Sequence, residues 1–316
     1  MDPPFFAGRK FESKGEHGKI HSFDDTWNND FESYLEFMRE IIAEVHRVLK
    51  KTGSMYLHCD WHASHYLKIE SDKNFGCKNF RNEIVWRRHN SHNDTKQGSK
   101  MFGRIHDVIL FYSKTGKYTW NPMYQPYSEE YIKKYYKHVE PETGRLFACG
   151  DLSGPGGRSK GNPRYKFMGI TRYWRYNQTK MNELRKQGKI IQRRLGTVPL
   201  QKRYLDEMPG IMLQDVWDDL KSVQVTKTES VGYPTQKPTR LLERIIQISS
   251  NEKDLVLDPF CGSGTTLVAS KNLGRRFLGI DMNSNACKIA KKRINDRLEI
   301  KNSIVLLNKF RKKTLL

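Results

Sequence analysis

The chain has 316 residues, enough for one large domain or two ordinary ones at about 100 to 200 residues each. Lys and Arg number 56 against 35 Asp and Glu, a formal net charge of +21 that needs a polyanion to explain it, while 37% hydrophobic and 11% aromatic content exceed what a disordered basic tail carries. No apolar run approaches the roughly 18 to 20 residues that cross a bilayer, and five scattered cysteines (Cys59, Cys77, Cys149, Cys261, Cys287) make neither a disulfide scaffold nor a zinc knuckle, so membrane and secreted classes are disfavoured and a cytoplasmic protein is expected.

After Met1-Asp2-Pro3-Pro4-Phe5, the sequence to Asp30 has little periodicity and reads as loop. Apolar residues at Tyr34, Phe37, Met38, Ile41, Ile42, Val45, Val48 and Leu49 keep a 3.6-residue period that stops at Lys50, Lys51 and Gly53, which predicts a helix whose apolar stripe is core. A buried strand is predicted over 54–58, a helix over 61–69 with Asp60 as its N-cap, and strands over 82–86 and 107–112. The polar, Gly-bearing stretch 87–106 between those strands reads as a mobile loop. The composition changes near Trp120. Residues 158–203 hold fourteen basic side chains and one acidic one, Glu183, so more than half of the whole charge excess lies there, interleaved with Tyr165, Phe167, Tyr173, Trp174 and Tyr176 and preceded by the turn-rich Gly154-Pro155-Gly156-Gly157. Regular patterning returns after Gln214: helix over 239–249 behind Pro238, strand over 255–258, helix over 265–272, strand over 276–281 and helix over 284–298. This strand-helix alternation is a parallel-sheet signature.

Leu255-Val256-Leu257-Asp258-Pro259-Phe260-Cys261-Gly262-Ser263-Gly264-Thr265-Thr266 puts a glycine-rich turn between a strand and a helix start, where backbone N–H groups suit a carboxylate or phosphate. A lone G-x-G is more often an ordinary turn, and the dinucleotide fingerprint fails because Leu267 stands where a third small residue belongs. With Asp258, the Thr pair and Asp281 at the end of the next strand, spaced for ribose hydroxyls, the set points to a nucleoside-bearing cofactor. In Asp2-Pro3-Pro4-Phe5 two prolines fix a rigid turn without N–H donors, leaving carbonyls and a carboxylate as acceptors beside an aromatic ring. That group suits an exocyclic amine on a stacked base; alone, the tetrapeptide reads more readily as a frayed terminal turn.

Together the two elements resemble the S-adenosylmethionine-dependent amino-methyltransferases of DNA, whose catalytic motif D/N/S-P-P-Y/F/W and cofactor motif D-x-F-x-G-S-G-T are matched by residues 2–5 and 258–266. Catalytic motif first, variable region next and cofactor motif last is the order of the β-class of restriction-modification methyltransferases. Tyr233-Pro234-Thr235-Gln236-Lys237-Pro238 looks like the family's Y/H-P-T-x-K-P element, and His106-Asp107-Val108-Ile109-Leu110-Phe111-Tyr112 like its H-D/E-x-I-L strand. The resemblance covers essentially the whole chain. It implies an α/β fold with a Rossmann-like, mostly parallel, circularly permuted sheet and an inserted basic target-recognition region: residues 1–119 form the catalytic half, 120–215 the recognition region and 216–316 the cofactor half. Members normally carry several tens of residues ahead of the D-P-P motif, so a chain in which that motif opens at residue 2 is expected to be a shortened reading frame, lacking a sheet strand and with weakened activity.

What the resemblance implies chemically is direct methyl transfer to the amine of a base flipped out of duplex DNA. Asp2 and the Pro3 carbonyl would orient the amine, with Pro4 fixing the turn and Phe5 as the stacking face. Aspartate at the first position leans to the N6 amine of adenine; the cytosine N4 amine is the nearest rival, structured RNA a more distant one, and a non-catalytic DNA-binding remnant the rival from another class. The cofactor would be held by Asp258, Pro259, Phe260, Cys261, Gly262, Gly264 and Thr265, with Asp281 on the ribose and Thr235, Lys237 and Pro238 closing over the methionine part. Arg158, Lys160, Arg164, Lys166, Arg172, Arg175, Arg193 and Arg194 would bind double-stranded DNA, and a cognate restriction endonuclease and a homodimer are the further partners expected. His58, Cys59, Asp60, His62 and His65 include an i, i+3 histidine pair, but strand-end and cap roles suffice and no metal is expected. His89, His92 and His106 flank the polar loop, as readily solvated as functional. Cys261 has no base partner and is not expected to be a nucleophile.

Overall fold

The computed structural model describes residues 1–15, 18–90, 98, 100–226 and 229–295. They fall into two compact units, one formed by Met1–Pro122 together with the residues from Gln214 onward, the other by Met123–Leu213.

The first unit opens with an antiparallel hairpin, β1 (Lys10–Gly15) and β2 (Gly18–Asp24), where the sequence reads as loop. Phe11 and Phe23 stack across it at 4.5 Å, single aromatic residues too sparse to register as a strand pattern among Gly, Lys and Asp. Helix α1 (Phe31–Val48) starts at Asp30, whose side chain accepts the N–H groups of Glu32 and Ser33, and buries Tyr34, Leu35, Met38 and Ile42; Val48, expected in the core, is half exposed. Strand β3 (Ser54–Cys59) follows. Helix α2 (Ser64–Phe75) begins three residues later than predicted, because Asp60 does not cap it: the carboxylate accepts from the His62 N–H at 3.0 Å and meets its imidazole Nδ1 at 2.9 Å in a local turn. Strands β4 (Phe80–Arg87) and β5 (His106–Ser113) complete this stretch.

The second unit contains β6 (Tyr124–Gln125), α3 (Glu129–Tyr135), β7 (His138–Val139), β8 (Leu146–Asp151), β9 (Arg164–Phe167), β10 (Ile170–Tyr173), α4 (Gln178–Lys186), β11 (Ile190–Ile191), β12 (Leu200–Tyr204) and β13 (Ile211–Met212). An antiparallel sheet of order β11-β12-β8-β7 is joined by the β9-β10 hairpin and the short β6-β13 pair. Leu152, Phe167, Trp174 and Met181 form a core beneath the hairpin.

Back in the first unit come β14 (Val216–Trp217), α5 (Val223–Thr226), α6 (Thr239–Ser249), β15 (Leu255–Asp258), α7 (Thr265–Asn272), β16 (Arg276–Gly279) and α8 (Ser284–Asn295). The spans of α6, β15 and α7 are those the sequence predicts; β16 ends two residues early, and the predicted end of the last helix at 296–298 lies outside the described residues. The strands make a sheet of order β14-β4-β5-β3 and a separate parallel pair, β15 with β16. β14 runs parallel to β4, whereas β5 is antiparallel to both β4 and β3. The four-stranded sheet is therefore mixed, not mostly parallel as expected, while the β15-β16 pair is parallel. The physical reason is that α2 carries the chain across from β3 to β4 in the same direction, and β5 returns between them; part of the stretch 87–106, expected to be a loop, lies outside the described residues. The backbone of Met1 lies along the edge of β3, donating its amino group to Tyr56 O at 2.9 Å and accepting from His58 N at 3.1 Å. The main core joins α1, α2, β3 and β5 and takes in Met1, Phe6, Trp27 and Phe260. Among the described residues no helix is long and apolar enough to cross a membrane.

Candidate active site

The N-terminal turn is shaped by a residue that sequence reasoning missed. Asp25, just after β2 and almost wholly buried, accepts the N–H groups of Phe5 (3.2 Å), Phe6 (3.0 Å) and Ala7 (2.8 Å) and the Trp27 indole N–H (3.0 Å). Four donors on one carboxylate hold Phe6 in the left-handed region at φ +63°, a conformation a bulky residue does not keep unaided. Burial still pushes the Asp25 carboxyl above its ordinary pKa. From α1, Tyr34 donates to the Pro4 carbonyl at 2.9 Å. Nothing in the Asp24-Asp25 pair marks the second as special; the turn it closes is made only by folding.

Asp2 stands where three segments of the first unit meet. Its Oδ1 lies 2.8 Å from His58 Nδ1 near the end of β3, and its Oδ2 receives the Lys237 ammonium at 2.6 Å. His58 Nε2 is 3.2 Å from Oδ2 of Asp107 at the start of β5, and Arg88 Nε lies 2.9 Å from the other oxygen of Asp107. The Phe5 ring meets His58 edge-on at 5.1 Å, and the Lys237 ammonium lies 5.5 Å from the Phe5 centroid. The Asp2 side chain keeps 27% of its surface exposed, against 6% for His58 and 5% for Asp107, so of these three Asp2 is the one open to a ligand. Burial disfavours its charge, but the charges of Lys237 and His58 outweigh burial and hold the carboxyl well below the usual range. Asp107 is likewise lowered, burial being overcome by the His58 hydrogen bond. For His58 burial opposes protonation, yet the charge of Asp2 and the Asp107 hydrogen bond raise its pKa above the ordinary histidine value. Lys237, grouped by sequence with the cofactor residues, thus sits on Asp2, with the Thr235 carbonyl 3.1 Å from the same ammonium.

At the end of β15, the buried Asp258 carboxylate is used inside the turn, accepting the Phe260 N–H at 3.2 Å and the Thr266 hydroxyl at 2.5 Å, which folds Pro259 and Phe260 back over the start of α7. Asp281 follows β16 and accepts from Gly262 N and Asn283 N, both at 2.8 Å; burial pushes its pKa up against those two N–H groups. Gly262 (φ +48°) and Gly264 (φ +82°) take left-handed conformations, and a Cβ on Gly262 would lie 3.4 Å from the buried Tyr233 ring. No side chain caps α7, so its first-turn N–H groups point at whatever anion the turn receives. Thr265 Oγ1 takes a hydrogen bond from Arg293 at 3.2 Å. Burial and the nearby acids push the Cys261 thiol up, the opposite of an activated nucleophile. Pro238 is the N-cap residue of α6, where the Glu229 carboxylate accepts Thr239 N at 3.1 Å. This donor set, an uncapped helix start with a carboxylate at the next strand end, fits a cofactor bearing both a carboxylate and a ribose.

In the second unit Arg158, Lys160, Arg164, Lys166, Arg172, Arg175, Arg193 and Arg194 all reach solvent. The interleaved rings divide: Phe167 and Trp174 are core, and the Tyr165 hydroxyl donates to Tyr176 O at 2.8 Å. Arg164 pairs with Tyr173 and Lys166 with Thr171 across the β9-β10 hairpin, which puts these four on one face. Of the histidines, His62 is held by Asp60, His65 and His106 are exposed, and His92 lies outside the described residues. Among the described residues no group of three or more His, Cys, Asp or Glu is placed to hold a metal.

Residues 1–292 match the family model of the N6/N4 methylases, described as DNA methylase. The chain belongs to that family. A methylase of this kind takes its methyl group from S-adenosylmethionine. The type II methyltransferase M.EcaI of Enterobacter cloacae is 33% identical over 297 residues, a match covering 93% of this chain and 63% of that protein. The DNA adenine methyltransferase YhdJ of Escherichia coli K12 is 30% identical over 295 residues, covering 93% of this chain and 74% of that one. Among solved structures, a DNA modification methylase of Thermus thermophilus is 18% identical, with a TM-score of 0.48 over 90% of this chain and 87% of that chain.

Proposed function

We propose that the chain is a site-specific DNA methyltransferase that moves a methyl group from S-adenosylmethionine to the N6 amine of an adenine flipped out of duplex DNA. The observation that carries the reading is Asp2, an ionised and partly exposed carboxylate fixed beside the Phe5 ring. The cofactor, when bound, supplies an electrophilic methyl group on a sulfonium. Asp2 and the Pro3 carbonyl accept the two N–H groups of the amine and align its nitrogen, Pro4 keeps the turn rigid, and Phe5 stacks on the base; the proton that the nitrogen loses on gaining the methyl group leaves to water beside the partly exposed Asp2, and alignment is the main task because the leaving group needs no protonation. Asp281 takes the ribose hydroxyls. The turn through Pro259, Phe260, Cys261, Gly262, Gly264 and Thr265, braced by Asp258, takes the amino-acid end, and Thr235 and Pro238 close over it. Residues 1–119 are the catalytic half, 216–316 the cofactor half and 120–215 the recognition region.

The choice of adenine rests on aspartate as the first residue of the motif, and the likeness to an adenine methyltransferase supports it. Incubation with duplex DNA and labelled cofactor, followed by digestion to nucleosides, should give N6-methyladenine. Label in N4-methylcytosine instead would reverse the base assignment, and DNA binding without any label would leave the non-catalytic reading. Likeness to type II methyltransferases supports a cognate restriction endonuclease as partner.

The eight solvent-reaching cations of the second unit carry the duplex in this reading. Removing one cation that neutralises a phosphate should flatten the dependence of log affinity on log salt by about 0.9. The double variant Arg193→Ala, Arg194→Ala should therefore reduce that slope by up to about 1.8, measured by fluorescence anisotropy from low to moderate salt. An unchanged slope would remove this loop from the interface.

A further inference from the structure

We propose that His58 is a positioning residue for methyl transfer: a buried imidazolium, anchored by Asp107, that fixes the direction in which Asp2 presents its free lone pairs. The inference rests on the reading of Asp2 as the group that meets the amine, and extends it to a residue with no contact to base or cofactor.

Both ring nitrogens of His58 face carboxylate oxygens, Nδ1 at 2.8 Å from Asp2 and Nε2 at 3.2 Å from Asp107. An ionised carboxylate only accepts, and a neutral imidazole has a single N–H, so a neutral ring would set one nitrogen lone pair against an oxygen lone pair. The imidazolium donates at both ends and leaves no such conflict. The surroundings keep the ring from turning away. Phe5 and Trp86 meet it at 5.1 and 5.6 Å, and its own backbone N–H is tied to Met1 O at 3.1 Å. The charged groups around it come from four segments: Asp2 from the N-terminal turn, Asp107 from β5, Arg88 just after β4 and Lys237 from the stretch before α6. With His58 charged, three cations face two carboxylates and each carboxylate has two cationic partners. Burial works against a charged ring, and the raised pKa of His58 says that the carboxylates prevail.

The consequence for Asp2 is geometric. One oxygen is held by His58 and the other by Lys237, so rotation about the Cβ–Cγ bond would break two charge-assisted hydrogen bonds at once. The remaining lone pairs then face the exposed side of the turn in one orientation, which is what aligning an amine demands. The Tyr-Pro-Thr-Gln-Lys-Pro stretch is linked to the same carboxylate through Lys237, so a shift in that stretch would be felt at Asp2.

The test compares His58→Ala and His58→Asn with the wild-type chain, and also follows the imidazole nitrogens of the wild type and of Asp2→Asn by 15N NMR across pH 5 to 9. In the wild type the ring should stay doubly protonated above the ordinary histidine pKa of about 6.5, and in Asp2→Asn it should lose its proton at lower pH. His58→Ala should reduce kcat about 100-fold with KM for DNA and cofactor little changed. His58→Asn, which keeps a donor towards Asp2, should recover part of that loss. Because the raised pKa belongs to a group active when protonated, wild-type kcat should fall as pH rises through it, and this limb should be missing from both variants. A ring already neutral at pH 6, or kcat and its alkaline limb unchanged in both variants, overturns the proposal. Should His58→Ala not fold by circular dichroism, His58→Asn and the NMR titration decide. A wild-type chain that transfers no methyl group counts against the function, while the titration still decides the protonation of His58.

Discussion

Asp2→Ala should abolish methyl transfer, lowering kcat by about a thousandfold or more, while leaving duplex binding nearly intact. The loss is expected to be large because the substitution removes the acceptor and undoes the arrangement around it. Two cations, His58 and Lys237, would face each other across a gap that only the carboxylate bridges, so the ammonium would move and the turn would lose a tether. Binding is spared because the cations proposed for DNA belong to the other unit, and Asp2 has no part in holding them. Asp2→Asn should be an intermediate case: it keeps the shape and one oxygen, yet its amide must turn one N–H towards His58 or Lys237, both of which are donors. Single-turnover transfer of labelled methyl, run beside anisotropy with a fluorescent duplex, separates the two effects. Methylation by Asp2→Ala at the wild-type rate would end the assignment, and a parallel loss of DNA binding would turn Asp2 into a structural residue.

The elements that could be read from sequence are those whose signal is local and periodic. The pattern behind Pro238 defines α6 to the residue, as do the Leu-Val-Leu strand and the helix after Gly264, because each carries its own start and stop chemistry. The two turns proposed as catalytic and cofactor-binding are visible in sequence for the same reason: prolines and glycines dictate backbone geometry on the spot. What was hidden is whatever depends on distant partners. Lys237 and Asp2 are 235 residues apart, so no spacing rule joins them, and a lysine inside a cofactor-like motif was naturally placed with the cofactor. His58 lay in a run whose histidines suggested metal; only its two carboxylate neighbours, 56 and 49 residues away, give it a different meaning. The antiparallel return of β5 was missed because strand direction follows from connections, not composition. In the basic region the sequence shows the charge but not which of the interleaved rings are buried: Phe167 and Trp174 belong to the core of the second unit.

Gly264→Ala should lower the stability of the first unit by about 2 to 5 kcal/mol and weaken cofactor binding with it, because the site has neither the backbone freedom nor the space for a Cβ. At φ +82° an alanine gives up roughly 1 to 2 kcal/mol relative to glycine. Its Cβ would stand 2.7 Å from the Cβ of Ala290 and 3.0 Å from its Cα, a contact with backbone of α8 that no rotamer relieves. Forcing a packed helix aside costs about 1 to 3 kcal/mol more. Because α7 and α8 share the core of Leu267, Val268, Phe277, Ala290 and Ile294, the displacement is transmitted to the whole layer beside β15 and β16. Gly262→Ala is the instructive comparison: its Cβ would meet the Tyr233 ring at 3.4 Å, an ordinary contact, so the backbone penalty alone remains and stability should fall by no more than about 2 kcal/mol. Yet Gly262 donates to Asp281 within the turn proposed to take the cofactor, so its substitution should weaken cofactor binding out of proportion to stability. Thermal unfolding by calorimetry, paired with titration of S-adenosylmethionine, places each variant on both axes. If Gly264→Ala melts with the wild type, the close packing of α7 on α8 is wrong; if both variants bind cofactor as the wild type does, the cofactor does not use this turn.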